Sequence, residues 1–339
     1  MPLATLRPWR RRKPRVFRNQ LVNDSQHEGI LFVPLRRCMT IALTIIGIVL
    51  ILAAARDIFH TLFNPSKQGD LSEWIARGIW RTTKRTIPRA LNYAGPIAFV
   101  AVVLYWTLSM VFGFALIYFP RMSQSFAFSA GLEPTQYQTL LGSLDASIGS
   151  LITLSTGIYS REPWIQMVMG IESIFGFGLL TASMSWILSI YPVLEHRKSL
   201  AHEASLMHFA EMQGIRRLRE VGESDLHDIL LGFASQMTTS RNELIQFPIT
   251  YYFHENEGKT SLAAILPYLA DIAAQNVRGE GAVALAATAL GGAIDDYLKF
   301  VGRFFLDRPF TNRYEMLGAF AADHLRNAVR SPAVIPRAA

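Results

Sequence analysis

Three long apolar runs constrain this chain more than any other feature. They cover Met39 to about Phe63, Pro96–Phe119 and Trp164–Val193. A helix needs roughly 20 apolar residues to cross the hydrocarbon core of a bilayer. Each run is long enough, and the second carries Tyr105, Trp106 and Tyr118, residue types that settle at membrane interfaces. The third holds one carboxylate, Glu172, and meets a proline at Pro192. The runs predict an all-α integral membrane protein with three transmembrane helices.

Composition agrees. Only 17% of the 339 residues are charged and 50% are hydrophobic, against about 25% charged in an ordinary soluble chain. The net charge of +7 is concentrated in Arg7–Arg18, in Arg56–Arg89 and just after the third run, where His196, Arg197 and Lys198 stand together. Basic flanks beside apolar runs face the cytoplasmic leaflet. This places the 64–95 loop and everything after residue 193 in the cytoplasm, in a cell (inner) membrane. No nucleic-acid-binding fold accompanies the charge, so the expected partner is the lipid bilayer and not nucleic acid. The basic segment 1–38, expected to be disordered, conflicts with an outside N-terminus; a start at Met39 would remove the conflict, and a cleaved signal peptide ending near Ala53–Ala55 is the alternative. The loop segment LSEWIARGIWRTTKR puts Leu71, Trp74, Ile75, Gly78, Ile79 and Thr82 on one helical face, as expected of a helix lying flat at the interface or of one packed on the C-terminal domain. Cys38 is the one cysteine, which excludes an intramolecular disulfide.

Between the second and third runs, Pro120–Pro163 is too polar for a full crossing. Within it Tyr137, Leu140, Leu141, Leu144, Ile148 and Leu151 recur at steps of three and four, and Pro134 suits a first helical turn. A short helix over 134–151 followed by the hydroxyl-rich SLITLSTGIYSREP has the plan of a re-entrant loop. Irregular backbone survives at membrane depth only when protein buries it or it lines a wet cavity.

Here the chain resembles the bacterial two-transmembrane potassium channel family over about Pro96–Val193 (outer helix 96–119, pore helix and loop 134–163, inner helix 164–193). Ser150–Thr153 resembles the end of a pore helix. Thr153, Leu154, Ser155, Thr156, Gly157, Ile158, Tyr159 and Ser160 resemble that family's T-x-T-T-x-G-[YF]-G-D filter, in a degenerate form. In one register Ile158 and Ser160 fall on the two glycine places; shifted by one residue, Gly157 takes the first and Tyr159 the second. A filter substitutes backbone carbonyls for a cation's water shell, and its alternating backbone suits glycine. The resemblance implies a homotetramer passing a monovalent cation, potassium foremost, with altered selectivity. The alternative is a non-conducting scaffold or sensor that uses the same module to oligomerise. Asp145 and Glu172 are expected to support the filter, and Gly170, Gly176 and Gly178 to provide either a gating bend or close helix contacts.

The remainder, 194–330, reads as an all-α domain, with helices expected over 200–218 (continuing the third run), 224–247, 261–276, 282–306 and 312–330, a short strand over Ile249–Phe253, and a tail at 331–339. It contains no GxGxxG after a strand, no phosphate-loop motif and no HExxH, so neither enzyme nor cofactor is expected. His254, Glu255 and Glu257 read as a solvated turn, with a metal site the lesser alternative; Asp295 and Asp296 read as surface charges. His196, His202 and His208 do not share one helix face.

Overall fold

The computed structural model describes residues 18–63, 70–213, 218, 221–278 and 281–330, with backbone only at 18–36, 63 and 70. Residues 1–17, the 64–69 part of the loop and the 331–339 tail lie outside the described residues, so the expectations placed there are not addressed. The elements run α1 (Arg18–Phe63), α2 (Asp70–Thr86), α3 (Ala94–Tyr118), α4 (Met122–Ser125), β1 (Phe126–Phe128), α5 (Pro134–Tyr137), α6 (Leu140–Leu151), β2 (Ile158–Ser160), α7 (Pro163–Met212), α8 (Glu223–Gln246), α9 (Leu262–Asn276), α10 (Gly281–Phe304) and α11 (Arg313–Asp323). Three stretches are helical, long and apolar enough to cross a membrane: Arg37–Leu62, Pro88–Ser125 and Pro163–Met212.

Several boundaries differ from the sequence expectations. The first helix is already formed at Arg18, the first described residue, well ahead of Met39; once nucleated, a helix extends at small cost per residue, so 18–38 is helical where disorder was expected. Helix α7 passes through Pro192 without stopping. A mid-helix proline costs about 3 kcal/mol, and here Ile190, Val193 and Leu194 are buried around it. The chain is also not purely α: β1 and β2 form a two-stranded antiparallel sheet with Phe126 opposite Ser160, Ala127 opposite Tyr159 and Phe128 opposite Ile158. Ile249–Phe253 is no strand; Pro248 opens a 3-10 turn there.

The chain divides into two compact units. The first holds Met1–Ile51 and Met110–Ser173. Within it α1 crosses α3 at a glycine pair: a Cβ on Gly47 would collide with the Gly113 carbonyl, and one on Gly113 would lie 2.6 Å from Ile51 Cγ1. Small residues let membrane helices approach this closely.

The second unit holds Leu52–Ser109 and Ile174–Ala339. Asp57 of α1 is buried there and accepts from Trp106 Nε1 at 2.8 Å and from the Ser72 hydroxyl, which ties α1, α2 and α3 together. Trp106 in turn packs on Trp186, their ring centroids 5.5 Å apart. The buried face of α2 is Ser72, Ala76 and Trp80, while Leu71, Trp74 and Gly78 point outward. That face packs on the C-terminal domain: Trp80 donates to Asp323 at 3.0 Å, Lys84 pairs with the same carboxylate at 2.8 Å, and Arg77 and Arg81 reach Asp307. Leu262–Ala273 of α9 are all buried; a helix apolar all round sits at a domain centre. Helices α10 and α11 pack against it, α8 packs on α10, and α11 ends at Asp323, short of the expected 330.

Candidate functional site

The segment that the sequence singles out lies entirely in the first unit. Its short helix is broken in two: α5 is one turn, and α6 restarts at Leu140 because the Thr139 hydroxyl accepts from the Gly142 amide at 3.3 Å as an N-cap. One face of α6 is small and hydroxylated. Gly142, Ser143, Ala146, Ser147, Gly149 and Ser150 are all buried, at the three- and four-residue steps that line one face of a helix.

Glu172 of α7 is completely buried. It accepts from the Tyr118 hydroxyl at 2.8 Å and is bonded to the Ser147 hydroxyl, which also lies 3.0 Å from the Val111 carbonyl oxygen. The next residue of α7, Ser173, donates from Oγ to the Ser150 carbonyl at 2.7 Å, one turn beyond Ser147 on α6. The carboxylate therefore fixes α6 to α3 and α7; its partners are on α6 and α3, and none is a loop residue. Asp145 is half-buried on α6 and makes none of these hydrogen bonds.

The C-terminus of α6 closes on itself. Leu154 N donates to Gly149 O at 2.7 Å and Thr153 N to Ser150 O at 3.2 Å, with Thr153 in the left-handed region at φ 58°. This is the Schellman pattern, in which a left-handed residue, usually glycine, caps the final carbonyls. Gly149 makes the fold-back possible: a Cβ there would lie 2.6 Å from Thr156 Cγ2 and 2.8 Å from Leu154 O. Thr153–Thr156 then runs irregularly, with Leu154 and Ser155 exposed. At Gly157, φ is 76°, and its carbonyl accepts from Ser129 N at 2.8 Å. Ile158, Tyr159 and Ser160 are β2 itself, with Ile158 buried and Tyr159 half exposed.

The eight residues proposed from the sequence thus fall into two groups. Thr153–Thr156 forms a capped loop, and Gly157–Ser160 is committed to a ladder with residues of the same chain. Backbone so paired differs from the free run of carbonyls that the filter resemblance implies. Gly170, Gly176 and Gly178 sit in uninterrupted helix, and a Cβ on Gly170 or Gly178 would meet nothing within 4 Å in this chain. Nothing in the sequence marks Tyr118, Ser147 or Asp57 as network members, because their partners are distant in the chain.

In the helical domain the HENEG turn is solvated at Glu257 as expected, but not at Glu255. Glu255 is buried in an ion pair with Arg197, whose guanidinium also donates to Thr250 O and Phe253 O, each at 2.7 Å. Among the described residues no three His, Cys, Asp or Glu side chains converge as a metal site. Asp295 pairs with Arg313 and Asp296 with Arg241, both 2.8 Å or less. His196 lies 2.6 Å from Glu243 and His208 packs on Tyr268, so they do not meet. No family model matches the chain, and no curated protein and no solved structure matches it either.

Proposed function

We propose that this is a multi-pass membrane protein that self-assembles, as a homotetramer by analogy with the family it resembles, around its α6–loop segments and lets monovalent cations pass passively. The observation that carries the reading is the placement of α6: a short capped helix between two candidate spans, hung on both by the Glu172 network, with a hydroxyl-bearing loop at its C-terminal end. A small hydroxyl-lined constriction is a reasonable substitute for cation hydration. Thr153, Ser155 and Thr156 are the residues nearest the path. Discrimination between potassium and sodium is weak in this reading, because Gly157 O already accepts from Ser129 and the Schellman cap consumes the last carbonyls of α6. The orientation places the helical domain in the cytoplasm, from the basic residues flanking the spans.

Large apolar side chains exposed on this chain support assembly. On α6 and its loop they include Leu141, Ile148 and Leu154; on α7, Met167, Ile174 and Phe177. Lipid or neighbouring copies cover them. A second reading, a non-conducting scaffold assembled through the same surface, draws on the β1–β2 pairing.

The test is ion flux into liposomes holding the purified full-length protein, with its particle mass measured in detergent. The expected result is tetrameric particles and flux of both potassium and sodium, reduced by Thr156→Val. Tetramers without flux above empty liposomes transfer the assignment to the scaffold. Monomers refute both.

A further inference from the structure

Away from the α6 network, the first unit contains an open cavity of about 570 Å³ at one end of its helices. Arg37 and Thr40 of α1 line one side, Arg121 and Gln124 another, and Glu162 and Trp164 the third. Arg121 is held in place: Nη1 donates to Ile117 O at 2.6 Å and to Thr44 Oγ1 at 3.1 Å, and its guanidinium lies 5.1 Å from the centre of the Trp164 ring. Glu162 is fixed as well, accepting from the Ser125 hydroxyl and from the Trp164 indole N–H. Those two hydrogen bonds, and more weakly Arg121, hold its carboxyl below the usual range, so it is ionised at neutral pH.

The cavity therefore presents two guanidinium groups and, beside them, one carboxylate, at the ends of three helices apolar enough to span a bilayer. We infer that it binds the head group of a zwitterionic phospholipid bearing a primary ammonium: the phosphodiester faces Arg37 and Arg121, and the ammonium faces Glu162. Guanidinium matches phosphate oxygens through paired N–H donors. The carboxylate matches an ammonium that retains N–H donors, which phosphatidylethanolamine has and phosphatidylcholine lacks. The exposed Trp164 supplies the amphipathic ring that settles at the level of head groups.

Delipidated full-length protein in detergent is titrated with phosphatidylethanolamine, phosphatidylcholine and inorganic phosphate, and bound lipid is counted by native mass spectrometry. The expected order is ethanolamine over choline by about tenfold, the scale of one charge-assisted hydrogen bond. Arg37→Gln lowers affinity for both lipids, and Glu162→Gln removes the preference between them. Arg37 has no part in fixing Arg121, so its variant leaves the fold of the site intact. Equal binding of the two lipids by the unaltered protein overturns the assignment, as does an Arg37→Gln variant that binds as before. Displacement of the lipid by millimolar inorganic phosphate assigns the cavity to a free anion and likewise overturns the lipid proposal.

Discussion

Acidification should loosen the helical domain through one imidazole. His324 is 3% exposed, and neither ring nitrogen has a hydrogen-bond partner among the described residues. Its ring packs on Trp80, Tyr251 and Phe320, with centroids 5.1, 4.8 and 5.0 Å away. Burial pushes its pKa from 6.5 down to about 3; the charges of Arg197, His254 and Lys84 add to this, and Asp323 opposes it. A histidine depressed in the fold stays neutral there while the unfolded chain takes up a proton. Stability is therefore complete above about pH 6.5 and falls with pH until the folded imidazole itself titrates near pH 3. From pH 7 to pH 5 the unfolded imidazole gains about 2 kcal/mol from protonation that the folded one does not, or roughly thirtyfold in the opening equilibrium. His254, lowered to about 4 by burial and by Arg326, acts in the same direction but is partly exposed and contributes less. Hydrogen exchange of the α9 and α11 amides in the full-length protein, corrected for intrinsic rates, measures the change. His324→Phe keeps the ring contacts, sacrifices no hydrogen bond and should remove most of the thirtyfold effect. An equal loss of protection in the variant and in the unaltered protein refutes the reasoning.

Three further outcomes are expected. Glu172→Gln should retain thermal stability in detergent, because an amide oxygen still accepts from Tyr118; Glu172→Leu should lose about 1–3 kcal/mol, because the buried Tyr118 hydroxyl is left unpaired while Ser147 keeps the Val111 carbonyl. Gly47→Ala should lower the melting temperature despite alanine's helical preference, since its Cβ meets the Gly113 carbonyl, whereas Gly170→Ala meets nothing in the chain and should not. Arg197→Met strands Glu255 in the core and should cost about 3–5 kcal/mol in denaturant titration of the helical domain, with much of that recovered when Glu255→Met is added.

The α6 segment shows where legibility stopped. Its helix was readable because Leu140, Leu144, Ile148 and Leu151 recur at helical steps, and the structure ends that helix at Leu151. The break at Thr139 was not readable: capping depends on one hydroxyl reaching an amide, which spacing does not encode. The loop resembled a filter by residue type, yet the fate of Gly157–Ser160 depends on Phe126–Phe128, some 30 residues earlier and with no sequence mark of pairing. For α2 the amphipathic pattern was readable, but not that Trp80 bonds Asp323, 243 residues away.

The sequence by itself determined the three apolar helices and most of the helices of the C-terminal domain, because hydrophobic periodicity and length are local properties that the solvent reads directly. Only the tertiary structure decided which polar groups are spent. Asp57, Glu255 and His324 look alike in a string of letters as charges or rings to be solvated, and Glu172 stands out there only by its place in an apolar run; each is buried because partners distant in the chain surround it. Burying such a group has a large cost that only its particular neighbours offset, and those neighbours are chosen by packing, over distances that no local pattern records.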